Sequence, residues 1–440
     1  MSNIDSGNEL KMKICAISFH CCPFSLLGGD GTGGMNVYLR ELCSALTSYP
    51  EVKIDIFTRI QNPMIREIKY FSPQARVVHL RGGPERPMDR TKLYDFLPEF
   101  SRNLESFICQ ERENYDLVYS HYWLSGLVGE GIRHKFNLPL AHIYHTLAFL
   151  KERALREEPR EHESRIRAER HLAYVSDAII SSSGEEMQSL VDEYGISSSK
   201  GKIIYPGVNK KLFYPLEDRM VLQEMRCREK DRIILYVGRI DPAKGLMTVI
   251  EAFELLKKKD LPLYSQLKLI VVGGGKKKED LPGNKEFIRI NKAIREKKLT
   301  GKVIFLGSKK QSELKKYYSA AEALVMPSLY ESFGLVPVEA MACGTPALVS
   351  RIGEMRYIVQ EGRNGFSFRP NNPYSLASCL EHFFSNKESL WDTEKIRQNA
   401  IKNFSWGKTA DETYSLFRRL RREKASITTI FQSDESLRPV

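Results

Sequence analysis

The sequence predicts an α/β protein of two successive Rossmann-like domains, each a parallel sheet covered by helices on both faces. Three observations carry this. Short runs rich in Ile and Val alternate with helix-like stretches. The alternation breaks once, near residue 206, and then restarts. The chain has 440 residues, 42% of them hydrophobic, which is more than a single core ordinarily organises.

In the N-terminal half the apolar runs are KICAISFH (13–20), VKIDIFT (52–58), ARVVHL (75–80), DLVYSH (116–121), LAHIYH (140–145), AIISSS (178–183) and KIIYP (202–206). They end in polar or turn residues, and several are separated by helical stretches, as strands buried on both faces require. PGVNKKLFYP (206–215) interrupts the pattern with two prolines and a glycine, which suits a linker. RIILYVGR (232–239), LKLIVVGGG (267–275), KVIFLG (302–307), ALVMPS (323–328) and PALVS (346–350) then repeat it. FSWGKTADETYSLFRRLRRE (404–423) reads as a terminal helix with Ser405 as its cap. The residues after about 425 carry little apolar periodicity and are expected to be disordered. The expected division is therefore 1–207, 208–403, and a 404–440 segment whose helix packs back on the first domain. Ligands sit at the carboxyl ends of parallel strands, so the site is expected in the cleft between the domains.

Composition narrows the function class. No apolar run approaches the ~18 residues of a membrane span. MSNIDSGNELKMK lacks the apolar core of a signal peptide, which points to the cytoplasm. The eight cysteines contain no C-x-x-C pair, and His20-Cys21-Cys22 has no second cluster, so the cysteines read as reduced thiols and no metal is expected. The charge, 67 − 55 = +12, lies partly in short basic runs with no nucleic-acid module beside them. It reads as solvated surface and as attraction for anionic small substrates. LFRRLRREK is also a basic amphipathic helix of the kind that rests on anionic membranes, so peripheral membrane contact stays open, as does a homodimer.

Residues 28–34, GGDGTGG, contain the dinucleotide fingerprint G-x-G-x-x-G, with Asp55 as its candidate ribose acid. The fingerprint is expected to be accidental. About ten residues, including Pro23, separate the strand from the first glycine, where a tight turn is needed. Asp55 also sits mid-strand rather than at a strand end. Gly33 and Gly34 still open a helix whose free amides suit an anion; a plain structural turn is the alternative.

YVGRIDPAKG (236–245) presents Arg239 and Lys244 at a strand end, where two fixed cations suit a diphosphate; surface ion pairing is the competing reading. PSLYESFGLVPVEAMACGTP (327–346) places Glu331 and Glu339 in an E-x7-E element. The amides of Ser332, Phe333, Gly334 and Leu335 open a helix that carries Glu339. Such amides meet phosphate oxygens, while an acid there accepts from ribose hydroxyls and Glu331 reaches a sugar.

These three motifs, in this order, resemble the GT-B retaining glycosyltransferases that use nucleotide sugars, over about residues 11–420. TGGMNVYLRELCSAL, DIFTR, YSHYWLSGLVG and HTLAFLK look like the D-inositol-3-phosphate glycosyltransferases of mycothiol synthesis. Sucrose-phosphate synthases are similar more distantly, usually with GGQ where this chain has Gly33-Gly34-Met35-Asn36. The resemblance implies that Arg239 and Lys244 grip a UDP diphosphate, Glu339 the ribose and Glu331 the transferred sugar. Gly34 would approach the diphosphate and His145 would lie near the sugar. It also implies an acceptor phosphate held by Lys92, Tyr122, Thr146 and Arg165, with Asn36 on the acceptor ring. Such enzymes need no metal or other cofactor, and a UDP-sugar is the co-substrate. The alternatives are transfer to fructose 6-phosphate, a membrane-surface transferase with a lipid-linked acceptor, and an NAD-dependent oxidoreductase. One departure is visible: relatives commonly have two glycines where this chain has Gly353-Glu354, which leaves the donor sugar open between N-acetylglucosamine and others such as glucose.

Overall fold

The computed structural model describes residues 11–25, 33–155, 163–218, 220–260, 262–275, 281, 283–385 and 391–435. Fourteen strands fall among them. β1 (Met12–Ile17), β2 (Val52–Arg59), β3 (Ile68–Ser72), β4 (Ala75–Leu80), β5 (Leu117–His121), β6 (Leu140–Ile143), β7 (Ala178–Ser181) and β8 (Gly201–Ile203) form one sheet in the order β3-β4-β2-β1-β5-β6-β7-β8. β9 (Arg232–Val237), β10 (Leu267–Val272), β11 (Val303–Gly307), β12 (Ala323–Met326), β13 (Ala347–Ser350) and β14 (Gly365–Phe368) form the second, ordered β11-β10-β9-β12-β13-β14. All pairings are parallel except β3 with β4.

The apolar runs are continuous because each face has its own core. On β1, Ile14 and Ala16 pack under the helix Gly34–Leu46, while Cys15 and Ile17 pack on the opposite face with Phe100 and Leu124. On β9, Ile233 and Leu235 serve one face and Ile234 and Tyr236 the other. Asp55 interrupts β2 as a buried acid; it accepts from Arg76 at 2.8 and 3.1 Å and from Tyr115 at 2.5 Å. Those bonds commit it to the sheet, which removes it as a ribose acid.

Two strands escaped the sequence reading. β3 is an edge strand whose Lys69 and Tyr70 are exposed, so it carries no core signature. β14, GFSF, follows the turn at Asn364 directly and contains no Ile or Val.

The terminal helix runs Trp406–Glu435, past the point near 425 where order was expected to end; residues 436–440 lie outside the described residues. Trp406, Ala410, Phe417 and Leu420 are buried with residues of β1, β2 and β5 on the N-terminal sheet. Arg421 pairs with Asp116 at 2.9 Å. The apolar face of LFRRLRREK is thus used inside the molecule, which corrects its reading as a membrane-resting face.

The chain crosses between the sheets twice, side by side. Val208 bridges Ser405, and its N–H donates to the Phe404 carbonyl at 3.0 Å. A Cβ on Gly207 would lie 2.1 Å from the Trp406 nitrogen, so only glycine fits at this crossing.

Candidate active site

The carboxyl ends of both sheets open on one cleft of about 340 Å³. Of the residues singled out in the sequence, Gly33, Gly34, Asn36, Tyr122, His145, Thr146, Arg239, Lys244, Glu331, Ser332, Phe333, Gly334, Leu335 and Glu339 line it. Lys92 and Arg165 do not.

One wall comes from the second sheet. Arg239 follows β9, and the Tyr236 hydroxyl fixes its turn by donating to the Arg239 carbonyl at 2.7 Å. Lys244 ends a one-turn 3-10 helix, Pro242–Lys244. Gly245 follows with φ +66°, and a Cβ there would lie 2.1 Å from the Pro327 carbonyl oxygen. Glycine therefore seats the Lys244 turn against the loop after β12. Lys244 reaches Glu331 at 2.5 Å, and Arg239 reaches Asp241 at 3.2 Å. Each cation is held by a local acid while still lining the cleft.

The helix Leu335–Ala342 begins beside them, with Gly334 in the left-handed region at φ +90°. Gly34 approaches this start from the other domain: its Cβ would stand 3.8 Å from Leu335. Residues 28–32 of the glycine run lie outside the described residues. Glu339, on the same helix, is 6% exposed and accepts from Gln311 at 3.0 Å and Tyr318 at 2.9 Å. Burial pushes its carboxyl up to about 7, partly offset by these donors. Phe333 points elsewhere, packing on Tyr205 and Phe404 at the chain crossing.

The facing wall is built on β5 and β6. Arg165 is 2% exposed and lies beneath it. Its guanidinium donates to Glu169 at 2.7 Å and to the Thr146 carbonyl and hydroxyl at 2.7 and 3.0 Å, and stacks 5.0 Å from the Tyr122 ring centre. Three of the four expected acceptor residues thus form one contact group, with Arg165 as its support rather than its surface. Lys92 is the exception. It is exposed, and Arg90, two residues earlier in the 3-10 turn Arg90–Lys92, lines the cleft instead. At three residues per turn, positions two apart point in different directions.

Asn36 also departs from expectation. It is 1% exposed, accepts from the Gly33 N–H at 2.9 Å and donates to the Cys22 carbonyl at 2.8 Å. One lone pair and one N–H of its amide are thus used in capping the helix and closing the loop, so Asn36 holds the loop as well as lining the cleft.

Four histidines cluster at this wall, His20 and His145 lining the cleft and His121 and His142 buried behind it. His121 Nδ1 lies 3.0 Å from His145 Nε2, His142 Nδ1 lies 2.7 Å from the Ser120 hydroxyl, and the His20 ring sits 4.7 Å from that of Tyr122. Burial pushes His20, His142 and His145 down to about 3 and His121 well below its ordinary range, so all four are neutral. For His20, nearby Arg90, Arg165 and Arg59 add to the effect, marking this as the cationic end of the cleft. Tyr122 (φ 73°, ψ 154°) and His145 (φ 61°) both hold backbone conformations that cost about 1–3 kcal/mol outside glycine. Sequence reasoning missed Arg90, His20, His121 and Gln311; for Arg90 the signal was present, in the segment that supplied Lys92.

The walls touch directly. Ser332 Oγ donates to the His145 carbonyl at 2.6 Å, and the Leu147 N–H donates to the Tyr330 hydroxyl at 3.1 Å. Glu354, 2% exposed, accepts from the Gly184 N–H at 2.9 Å, at the start of the helix Gly184–Asp192. Among the described residues no group of three or more His, Cys, Asp or Glu is placed to hold a metal, and no helix is long and apolar enough to cross a membrane.

Residues 222–403 match the family model of the glycosyl transferases group 1, and residues 32–212 that of Glycosyltransferase Family 4. The D-inositol 3-phosphate glycosyltransferase of Corynebacterium glutamicum is 31% identical over 415 residues, covering 92% of this chain and 96% of that protein. Its Nocardiopsis dassonvillei counterpart is 31% identical, covering 95% and 97%. Among solved structures, the sucrose-phosphate synthase of Thermosynechococcus elongatus superposes with a TM-score of 0.83 at 30% identity, over 93% of this chain and 99% of that one. Anabaena HepE in complex with UDP-glucose superposes at 0.70 and 18% identity, over 93% and 100%, a likeness of fold alone.

Proposed function

Because the chain belongs to the GT-B glycosyltransferases, we propose that it transfers a sugar, with retention, from a UDP-sugar to a phosphorylated cyclitol, inositol 3-phosphate. One observation carries the reading. A cationic turn and a helix start suited to a diphosphate face a second cationic group, suited to a phosphate, across a single cleft.

Arg239, Lys244 and the amides at Gly334–Leu335 offset the charge that grows on the diphosphate as it leaves, a role that needs no metal. Glu339 accepts from the ribose and Glu331 from the transferred sugar. Arg90 takes the place expected of Lys92 beside Tyr122 and Thr146, and Arg165 holds those two in register. No enzymic nucleophile is assigned among the described cleft residues; the acceptor hydroxyl attacks the face the diphosphate leaves, and the leaving phosphate takes its proton. The Ser332 and Glu354 contacts bring the walls together and limit hydrolysis of the donor.

A second reading, transfer to fructose 6-phosphate, is favoured by the 0.83 superposition on a sucrose-phosphate synthase. The cyclitol reading rests on similarity to the inositol 3-phosphate enzymes. The test is one reaction holding both acceptors at equal concentration with a panel of UDP-sugars, read by mass spectrometry. A predominantly sucrose 6-phosphate product overturns the cyclitol assignment; no product with any UDP-sugar overturns the donor.

A further inference from the structure

We infer that His121 is a positioning residue that fixes His145 in the tautomer carrying its proton on Nδ1, so that His145 presents a neutral N–H donor to the cleft. The inference rests on the transferase reading for what that donor meets, a hydroxyl oxygen of the transferred sugar. Its geometry stands without it.

His121 ends β5 and is fully buried; His145 follows β6 and lines the cleft. The two nitrogens are 3.0 Å apart and the ring planes 18° apart, so one ring donates to the other nearly in plane. Both rings are neutral, so a single proton lies between them. If it sat on His145 Nε2, His121 would accept through Nδ1 and carry its own proton on Nε2. That nitrogen is buried with no hydrogen-bond partner among the described residues. In folded proteins a buried N–H without an acceptor is rarer than an acceptor without a donor, as the backbone shows. The other arrangement leaves a bare lone pair there and puts the shared proton on His121 Nδ1. His145 Nε2 then accepts, and its remaining proton resides on Nδ1.

The surrounding backbone maintains this arrangement. Tyr122, next to His121, and His145 itself are the two strained residues of this wall. The His145 carbonyl is fixed by Ser332 from the opposite domain, so backbone and ring are both held. Tyr119 packs edge-on against the His121 ring at 4.1 Å, and Tyr38 edge-on against His145 at 5.1 Å, so an aromatic neighbour supports each ring.

Asparagine and glutamine separate this role from bulk packing. The Asn Nδ2 falls near the position of His Nδ1, whereas the Gln Nε2 falls near that of His Nε2. His121→Asn should keep kcat within about threefold of wild type. His121→Gln and His121→Phe should each lower it about 100-fold, as a misplaced group does, while KM for the UDP-sugar changes little. Equal activity of the Asn, Gln and Phe variants would overturn the assignment. Long-range ¹H–¹⁵N spectra of histidine-labelled wild-type protein supply the readout that needs neither turnover nor a variant. His145 should show a protonated Nδ1 and a bare Nε2. A protonated Nε2 on His145 overturns the proposal outright. Failure of every UDP-sugar as substrate would overturn the transferase reading and leave the tautomer result standing.

Discussion

Removing the Glu354 carboxylate tests whether the two walls of the cleft are held together by side chains that cross it. Glu354 belongs to the second sheet's domain, yet its oxygen receives the first amide of the helix Gly184–Asp192 in the other, at 2.9 Å and almost out of water. The Tyr205 hydroxyl, just before the linker, bonds the same carboxylate. A hydrogen bond to a charged group contributes about 1.5–3 kcal/mol. Ser183 already caps that helix through the Glu186 N–H, so little further dipole energy is assigned to Glu354. At about 1.4 kcal/mol per tenfold, Glu354→Ala should shift the balance from apposed to separated domains roughly 10- to 150-fold. Glu354→Gln keeps an acceptor oxygen and loses only the charge, so its shift should be about fivefold. The assay pairs small-angle scattering, for the radius of gyration, with kcat/KM for the donor. Both should follow the order wild type, Gln, Ala. A variant that melts earlier but keeps its radius and kcat/KM would show a local structural role and refute the argument.

Three further predictions follow from the site. Arg239→Ala and Lys244→Ala should each lower kcat by about 2.7–4 kcal/mol of barrier, by analogy with lost oxyanion donors, while wild-type turnover persists in excess EDTA; loss on chelation restored by Mg²⁺ would refute the metal-free clamp. Arg90→Ala should raise KM for a phosphorylated acceptor at least tenfold and Lys92→Ala less than twofold, since a charge-assisted bond contributes about 1.5–3 kcal/mol and an exposed lysine outside the cleft contributes none; equal effects would return Lys92 to the site. Finally, Glu339 has a carboxyl raised from 4.5 to about 7. A raised acid favours the folded state when protonated, a contribution complete below 4.5 and lost as pH rises through 7. Glu339→Gln protein should therefore lose less stability than wild type between about pH 5 and 8 in urea titrations, and equal slopes would refute the assignment.

What could be read from the sequence follows from what each signal measures. Strands announce themselves as runs rich in Ile and Val, and twelve were legible; β3, half in water at an edge, and β14, which has neither residue, were not. Arg239, Lys244 and Glu339 were legible because a strand end or a helix start fixes their direction within a few residues. Lys92 and Arg90 share one turn, and only coordinates tell which of them faces the cleft. Asn36 shows the converse: its residue type suits a ring and a cap equally, and the Cys22 carbonyl that ties it to its loop lies fourteen positions away. His121, whose partner lies on a neighbouring strand, left no trace in any local pattern.

The return of the terminal helix to the first sheet has a consequence during synthesis. Apolar residues of β1, β2 and β5 wait for Trp406, Phe417 and Leu420 to cover them, and these emerge from the ribosome only after the whole second domain. With roughly 200 residues intervening at roughly 5–20 residues per second, the part of that face not covered by the helix Gly34–Leu46 stays bare for on the order of ten to forty seconds. The first half of the chain to be translated is thus the last to be completed, and a ribosome stalled anywhere in the second half leaves an apolar strip on the sheet, the kind of surface chaperones bind.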